Sequence, residues 1–262
     1  MNEPHELRVG FGCAVVYSTK SPAEDRPNQD ALAVLGYGGD SGIMVVADGV
    51  GGARLGGQAA RIAVESLARA LREGLEEEAP LRAAVLNGIE RANAEIGALG
   101  TGAATTVSVV QIEGGSARPY HVGDSEILIV GQRGRRKLQI VPHGPVGYAL
   151  EAGLLDASEA LHHEERHLVS NLVGSADMRI EVGPAIKLAR HDTVVIGTDG
   201  LFDNLYLDEI VELVRKGRVG RAAEALAATC HRRMKDPAGR KPSKPDDLTF
   251  ILCRPQTARS QG

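Results

Sequence analysis

The chain has 262 residues, 43% hydrophobic and 24% charged, the balance of an ordinary soluble globular protein and enough length for one large domain or two small ones. Its net charge of −4 excludes nucleic-acid binding driven by a basic surface, and no apolar run is long enough to span a membrane. Aromatics make up only 3% and Trp is absent, so aliphatic side chains and alanine must fill the core. The first six residues are polar and acidic, unlike a secretory leader. Cys13, Cys230 and Cys253 are odd in number and far apart, which points to a reducing, cytoplasmic setting rather than a disulfide frame or a zinc cluster.

Residues 1–8 read as a loose start. Strands are expected at 9–17, 31–35 and 43–47, separated by a polar loop with Pro22 and Pro27 and by a glycine-rich turn over 36–42. Two helices follow. Ala60, Ala63, Val64, Leu67, Ala70 and Leu71 recur at helical spacing, and Leu81, Val85, Ile89, Ala92, Ile96 and Leu99 do so again after Pro80. From Thr105 the period changes to two, which predicts strands at 105–112, 117–122, 126–130 and 138–141. Residues 143–174 are the least regular, with a helical patch at 157–163 and the histidines 143, 162, 163 and 167. Strands at 179–182 and 193–197, helices at 207–215 and 221–233, a Lys/Pro-rich loop at 235–245 and a closing strand at 248–253 complete the chain. The tail after Pro255 is expected to be disordered. With no internal repeat and no linker, this order predicts one α+β domain built in layers.

One local pattern recurs. The apolar strand 43–47 runs into Asp48, and Gly49, Gly51 and Gly52 then let the backbone turn sharply and approach a ligand. Asp124 follows a strand ending at Val122, Asp199 follows 193–197, and Asp246 stands just before 248–253. One Asp-Gly is an ordinary turn; acids at several strand ends predict a shared pocket. Clustered carboxylates repel one another and would protonate without a cation. Two divalent ions, Mg²⁺ or Mn²⁺, bridged by a carboxylate and a hydroxide would relieve that conflict and form a phosphoryl-transfer site.

The ordered set Arg26 with Asn28-Gln29-Asp30, Asp48-Gly49-Val50-Gly51-Gly52, Thr105-Thr106, Gly123-Asp124-Ser125, Thr198-Asp199-Gly200-Leu201-Phe202-Asp203 and Asp246-Asp247-Leu248-Thr249 resembles the metal-dependent Ser/Thr protein phosphatases of type 2C in their compact bacterial form. The resemblance covers about residues 9–253. It implies a central β-sandwich of two antiparallel sheets flanked by helix pairs, a four-layer α-β-β-α fold, with metals in a cleft at one end. It implies that Asp48 bridges two ions, that the Gly49 carbonyl binds one, and that Asp199 and Asp246 hold the second. Asp124 and Asp203 would join Asp199 at a weaker third site. Arg26 would grip the phosphate as a guanidinium fork, and Asp30 completes its motif as a candidate catalytic residue. Residues 143–174 would be the flap beside the cleft. The chain departs from the family where Arg26 lies four residues before Asp30 instead of five, where Gln29 replaces Glu, where Val50 replaces the His of animal members, and where Glu126 follows the Gly-Asp-Ser motif in place of Arg.

The resemblance further implies a phosphoprotein substrate, a Ser/Thr kinase or its target; the charge and the lack of a long apolar run predict neither nucleic acid nor membrane as partner. Two other readings compete. His163-Glu164-Glu165-Arg166-His167 matches the His-Glu-x-x-His pattern of zinc proteases, but no long amphipathic helix carries it. The fold could also serve as an inactive regulatory module.

Overall fold

The computed structural model describes residues 3–50, 55–235 and 241–255. Gly51, Gly52, the middle of the Lys/Pro-rich loop and the tail after Pro255 lie outside the described residues.

Two sheets carry the fold, and all their pairings are antiparallel. The first has the strand order His5–Val9, Gly12–Thr19, Leu248–Pro255, Thr193–Gly197, Glu126–Val130, Arg136–Gln139. The second has the order Glu181–Val182, Ser116–Val122, Val107–Glu113, Gly42–Ala47, Ala31–Gly36, and Ile186–Lys187 also pairs with Ser116–Val122. A small ribbon joins Gly49–Val50 to Ala104–Thr105.

Side chains alternate between two buried destinations. In Gly42–Ala47, Met44 and Val46 pack between the sheets with Val16, Val110, Ile127 and Ile196. Ile43, Val45 and Ala47 face the helices Leu55–Glu76 and Leu81–Gly97. In Gly12–Thr19, Val15 and Tyr17 face the helices Leu207–Val214 and Val219–Lys235 on the opposite flank. Both faces of each sheet are therefore covered, so its central strands read as unbroken apolar runs rather than as alternation. The result is the expected four-layer α-β-β-α sandwich, each fully buried Val, Leu or Ile contributing roughly 1.5–3 kcal/mol through its removal from water.

Four local expectations change. The loose start is a strand, His5–Val9, forming a hairpin on Gly12–Thr19; its polar, mostly exposed edge position gives no apolar signature. The strand expected at 105–112 is broken at Thr106, because Thr106 turns away to hydrogen-bond the Asp48 carbonyl. The strand expected at 179–182 is only Glu181–Val182. Short helices at Pro145–Glu151 and Asp199–Phe202 are too brief for a periodic pattern to reveal.

Register brings the acids together. Gly197 pairs with Phe250, Ala31 with Ala47, and Val107 with Val122. Asp199 and Asp246, Asp30 and Asp48, and Asp124 thus all leave the same end of the sandwich.

Candidate metal centre

Asp48 is held by its backbone. Its carbonyl accepts from Thr106 N at 2.8 Å and from Thr105 Oγ1 at 2.7 Å, and its N–H donates to Thr106 Oγ1 at 3.0 Å. Thr106 Oγ1 lies 2.7 Å from Ser125 Oγ, which ties the Thr-Thr pair to the loop carrying Asp124. Gly49 is obligatory for packing: a Cβ there would stand 2.2 Å from the Gly56 backbone, so the Asp48 turn can nest against the first helix only without a side chain. Gly200 has the same cause, since a Cβ would meet the Asp247 carbonyl at 1.9 Å.

Asp30 Oδ2 accepts from Thr198 Oγ1 at 3.0 Å, whereas Asp30 Oδ1 is buried with no hydrogen-bond partner. Asp199 repeats this division. Lys244 Nζ takes its Oδ2, and its Oδ1 is buried without a partner. Buried polar atoms are ordinarily satisfied, so two orphaned carboxylate oxygens at one end of a sandwich fit a hard divalent cation with oxygen ligands.

The electrostatics agree. Burial first, then repulsion from Asp247 and Asp199, push the Asp30 carboxyl up to about 8 against the opposing hydrogen bonds of Thr249 and Thr198. Burial, then Asp199 and Asp203, push Asp124 up to about 8. Burial, then Asp199, push Asp246 up to about 6. Asp48 is raised well above the carboxylate range by burial and then by Asp30, Asp199, Asp124 and Asp246. A divalent ion would reverse each of these shifts.

Arg26 lies at the rim of the group. Its Nη1 donates to Asp247 Oδ2 at 2.7 Å, its Nη2 lies 3.5 Å from Asp246 Oδ1, and its Nε pairs with Glu24. Asp247 is nearly fully buried and also accepts from Ser21 N at 2.7 Å and Gln29 N at 2.8 Å. It fixes the loop of Arg26 and Gln29 against the closing strand. The sequence shows Asp247 only as the second half of an Asp-Asp pair, with nothing to mark its long-range partners. Lys244 is a second residue missed in the sequence, because a lysine in a Lys/Pro-rich loop reads as solvated.

Residues 143–174 border the site. A cavity of about 380 Å³ lies between them and residues 199–208, lined by Val146, Leu150, Leu161 and Phe202 among others. It shares Asp124, Asp199 and Leu168 with a cleft of about 360 Å³ that also contains Arg26, Asp48, Gly49 and Asp246. Arg166 Nε reaches Asp203 Oδ2 at 3.7 Å, linking this segment to the acidic group.

The zinc-protease pattern does not form its helix. His163 is extended, and Glu164–His167 is one 3-10 turn. Ligand atoms of His121, His143 and Glu181 do draw within 4.8 Å of one another. Their hydrogen bonds argue against a metal there. His143 Nδ1 accepts from Gly123 N at 3.1 Å, so its proton sits on Nε2, 3.1 Å from Glu181 Oε2. His121 Nε2 faces the Val141 carbonyl at 3.1 Å and must donate to it. Both Nε2 atoms carry hydrogen and have no lone pair for an ion. The trio instead clamps Gly123, beside Asp124, to Asn171, whose Nδ2 is 3.0 Å from His143 Nδ1.

Comparison with known proteins gives a consistent picture. The family profile described as Protein phosphatase 2C matches residues 19–237. A 2C-type protein phosphatase of Streptococcus pyogenes is 31% identical over 179 residues, covering 66% of this chain and 72% of that protein. The serine/threonine phosphatase of S. agalactiae superposes with a TM-score of 0.78 at 26% identity, over 93% of this chain and 99% of that one. The catalytic domain of the serine/threonine phosphatase PstP, determined in complex with two manganese ions, shares the fold with a TM-score of 0.68 at 19% identity, over 93% of this chain and 98% of that one.

Proposed function

The chain belongs to the protein phosphatase 2C family, and from that premise we propose how its own residues perform metal-dependent hydrolysis of phosphoserine and phosphothreonine in proteins. The observation that carries the assignment to the acidic end is the pair of buried, orphaned oxygens, Asp30 Oδ1 and Asp199 Oδ1. Asp48, the Gly49 carbonyl, Asp199 and Asp246 would hold two ions, and the oxygen-only set suits Mn²⁺ or Mg²⁺. When bound, such ions supply a water acidic enough to attack phosphorus at neutral pH and neutralise the phosphate oxygens.

The chain's residues do the rest. Thr198 orients Asp30 through Oδ2, which leaves Oδ1 to accept a proton or a water hydrogen. Asp247 anchors Arg26 through Nη1, and the competing partner on Nε, Glu24, is more than half exposed. An incoming phosphate would displace Glu24 and take the guanidinium fork. Val50 stands at the cleft and has no proton to give, so the departing serine or threonine alkoxide is protonated by water or by the substrate itself. Among the described residues no helix is long and apolar enough to cross a membrane; a cytoplasmic phosphoprotein, a Ser/Thr kinase or its target, is the proposed partner.

The test is phosphate release from a phosphothreonine peptide with Mn²⁺, with EDTA, and with zinc alone. Release with Mn²⁺ that EDTA abolishes is expected. Release that survives EDTA, or peptide cleavage with zinc, would overturn the assignment.

A further inference from the structure

We propose that Lys244 is a resident cation of the acidic end, a tethered ammonium that takes the place of a third divalent ion. The assignment rests on the two-ion centre proposed above. Lys244 Nζ pairs with Asp199 Oδ2, lies 3.0 Å from Asp203 Oδ2 and 3.4 Å from Asp246 Oδ2. An ammonium has three hydrogens to donate, and three carboxylates surround this one. The contact is not a chance rotamer of a surface lysine. Lys244 N donates to Asn204 Oδ1 at 2.8 Å, and Asn204 Nδ2 donates to Lys244 O at 2.8 Å and to Gly200 O at 2.9 Å. Asn204 is fully buried. The turn bearing Asp199 and Asp203 therefore grips the backbone of the lysine that neutralises them.

The division of oxygens decides what the lysine replaces. Asp199 gives Oδ2 to Lys244 and keeps Oδ1 buried and free of hydrogen bonds. On Asp199 the lysine and an ion on Oδ1 can therefore coexist; at Asp246, whose Oδ1 already accepts from Asp247 N at 2.8 Å, the ion would share Oδ2 with Lys244, 3.4 Å away. The third position expected from Asp124, Asp199 and Asp203 is different. There Asp199 Oδ2 and Asp203 Oδ2 already face Lys244, and Asp203 Oδ2 faces Arg166 as well, at 3.7 Å. A weakly held divalent ion, with few protein ligands and many waters, would have to displace two cations fixed to the protein.

The experiment is Mn²⁺ titration by calorimetry, with metal content and metal-free melting, on wild type, K244M and K244R. Wild type should bind two ions and K244M a third, weaker one; K244R, which keeps the charge, should bind two. Without metal, K244M should melt at least about 5 °C lower, because stranding buried charge is strongly destabilising. If K244M can be isolated only with Mn²⁺ present, that is the same loss in its extreme form, and metal content still counts its ions. Three ions in wild type, or unchanged stoichiometry and metal-free melting in K244M, would overturn the role of Lys244. Absence of any binding heat in wild type would overturn the two-ion centre beneath it, an outcome distinct from a changed count.

Discussion

Asp48 ends a buried strand, and its carboxylate faces Asp30, Asp199, Asp124 and Asp246. Asp48→Asn keeps the shape and removes the charge. It is expected to lower phosphopeptide turnover by about a hundredfold or more, the scale of losing a key electrostatic group, with circular dichroism and melting cooperativity retained. Near-normal turnover at saturating Mn²⁺ would remove Asp48 from the centre. Residues of this kind are legible in the sequence because strand-then-Asp-then-Gly is a local pattern. Residues that act through long-range partners are not. Asp247 fixes Arg26 across 221 positions, Thr198 orients Asp30 across 168, and Lys244 reaches Asp199 across 45. Nothing local distinguishes these three from a turn acid, a strand-end threonine and a solvated lysine.

At the scale of elements, the long strands and helices were legible because burial on both faces leaves continuous apolar runs and clean helical stripes. Edge strands such as His5–Val9 and short pieces such as Pro145–Glu151 carry too few constrained positions. The 3-10 turn Glu164–His167 likewise shows that a five-residue pattern has no meaning without its helix. Replacing His163 and His167 together by Ala should leave turnover within a few-fold and reveal no lost protease activity; stoichiometric zinc that vanishes in the double variant would contradict this. The neighbouring histidine clamp makes a sharper prediction. Burial, then the stacked His143, push the His121 imidazole down to about 4, against the opposing pull of Glu181 and the Val141 carbonyl. The folded state thus binds fewer protons than the unfolded chain between about pH 4 and the ordinary histidine value near 6.5. The contribution is complete above about pH 6.5 and is lost as pH falls toward 4. Between pH 7 and pH 5, wild type should lose about 2 kcal/mol relative to His121→Gln, a neutral donor to the same carbonyl. Urea unfolding of both proteins at the two pH values checks this, and parallel curves would refute it.

At the scale of the whole molecule, the sandwich gathers at one end carboxyl groups that it holds together by protonation, by the cations Lys244, Arg26 and Arg166, or by metal. The metal-free protein therefore carries a pH dependence opposite in sign to that of His121. Asp30 and Asp124 are pushed up to about 8 and Asp246 to about 6, so the folded state binds more protons than the unfolded chain between about pH 4 and about pH 8. Stability from these groups is complete below the ordinary carboxylate range and is lost as pH rises through about 6 and then about 8. A divalent ion replaces those protons, so its effect must grow over the same window. Melting wild type with EDTA and with Mn²⁺ between pH 5.5 and pH 8.5 should show a shift that widens with pH. At Mn²⁺ about a hundredfold above its dissociation constant the stabilisation is about 2.7 kcal/mol, or roughly 5–11 °C for a chain of this size. Asp48→Asn should lose most of the shift, and the His121 variant should keep it, because His121 does not line the cleft that holds the aspartates. A Mn²⁺ shift that is flat across this range, or that persists in full in Asp48→Asn, would mean that the ions bind elsewhere on the molecule.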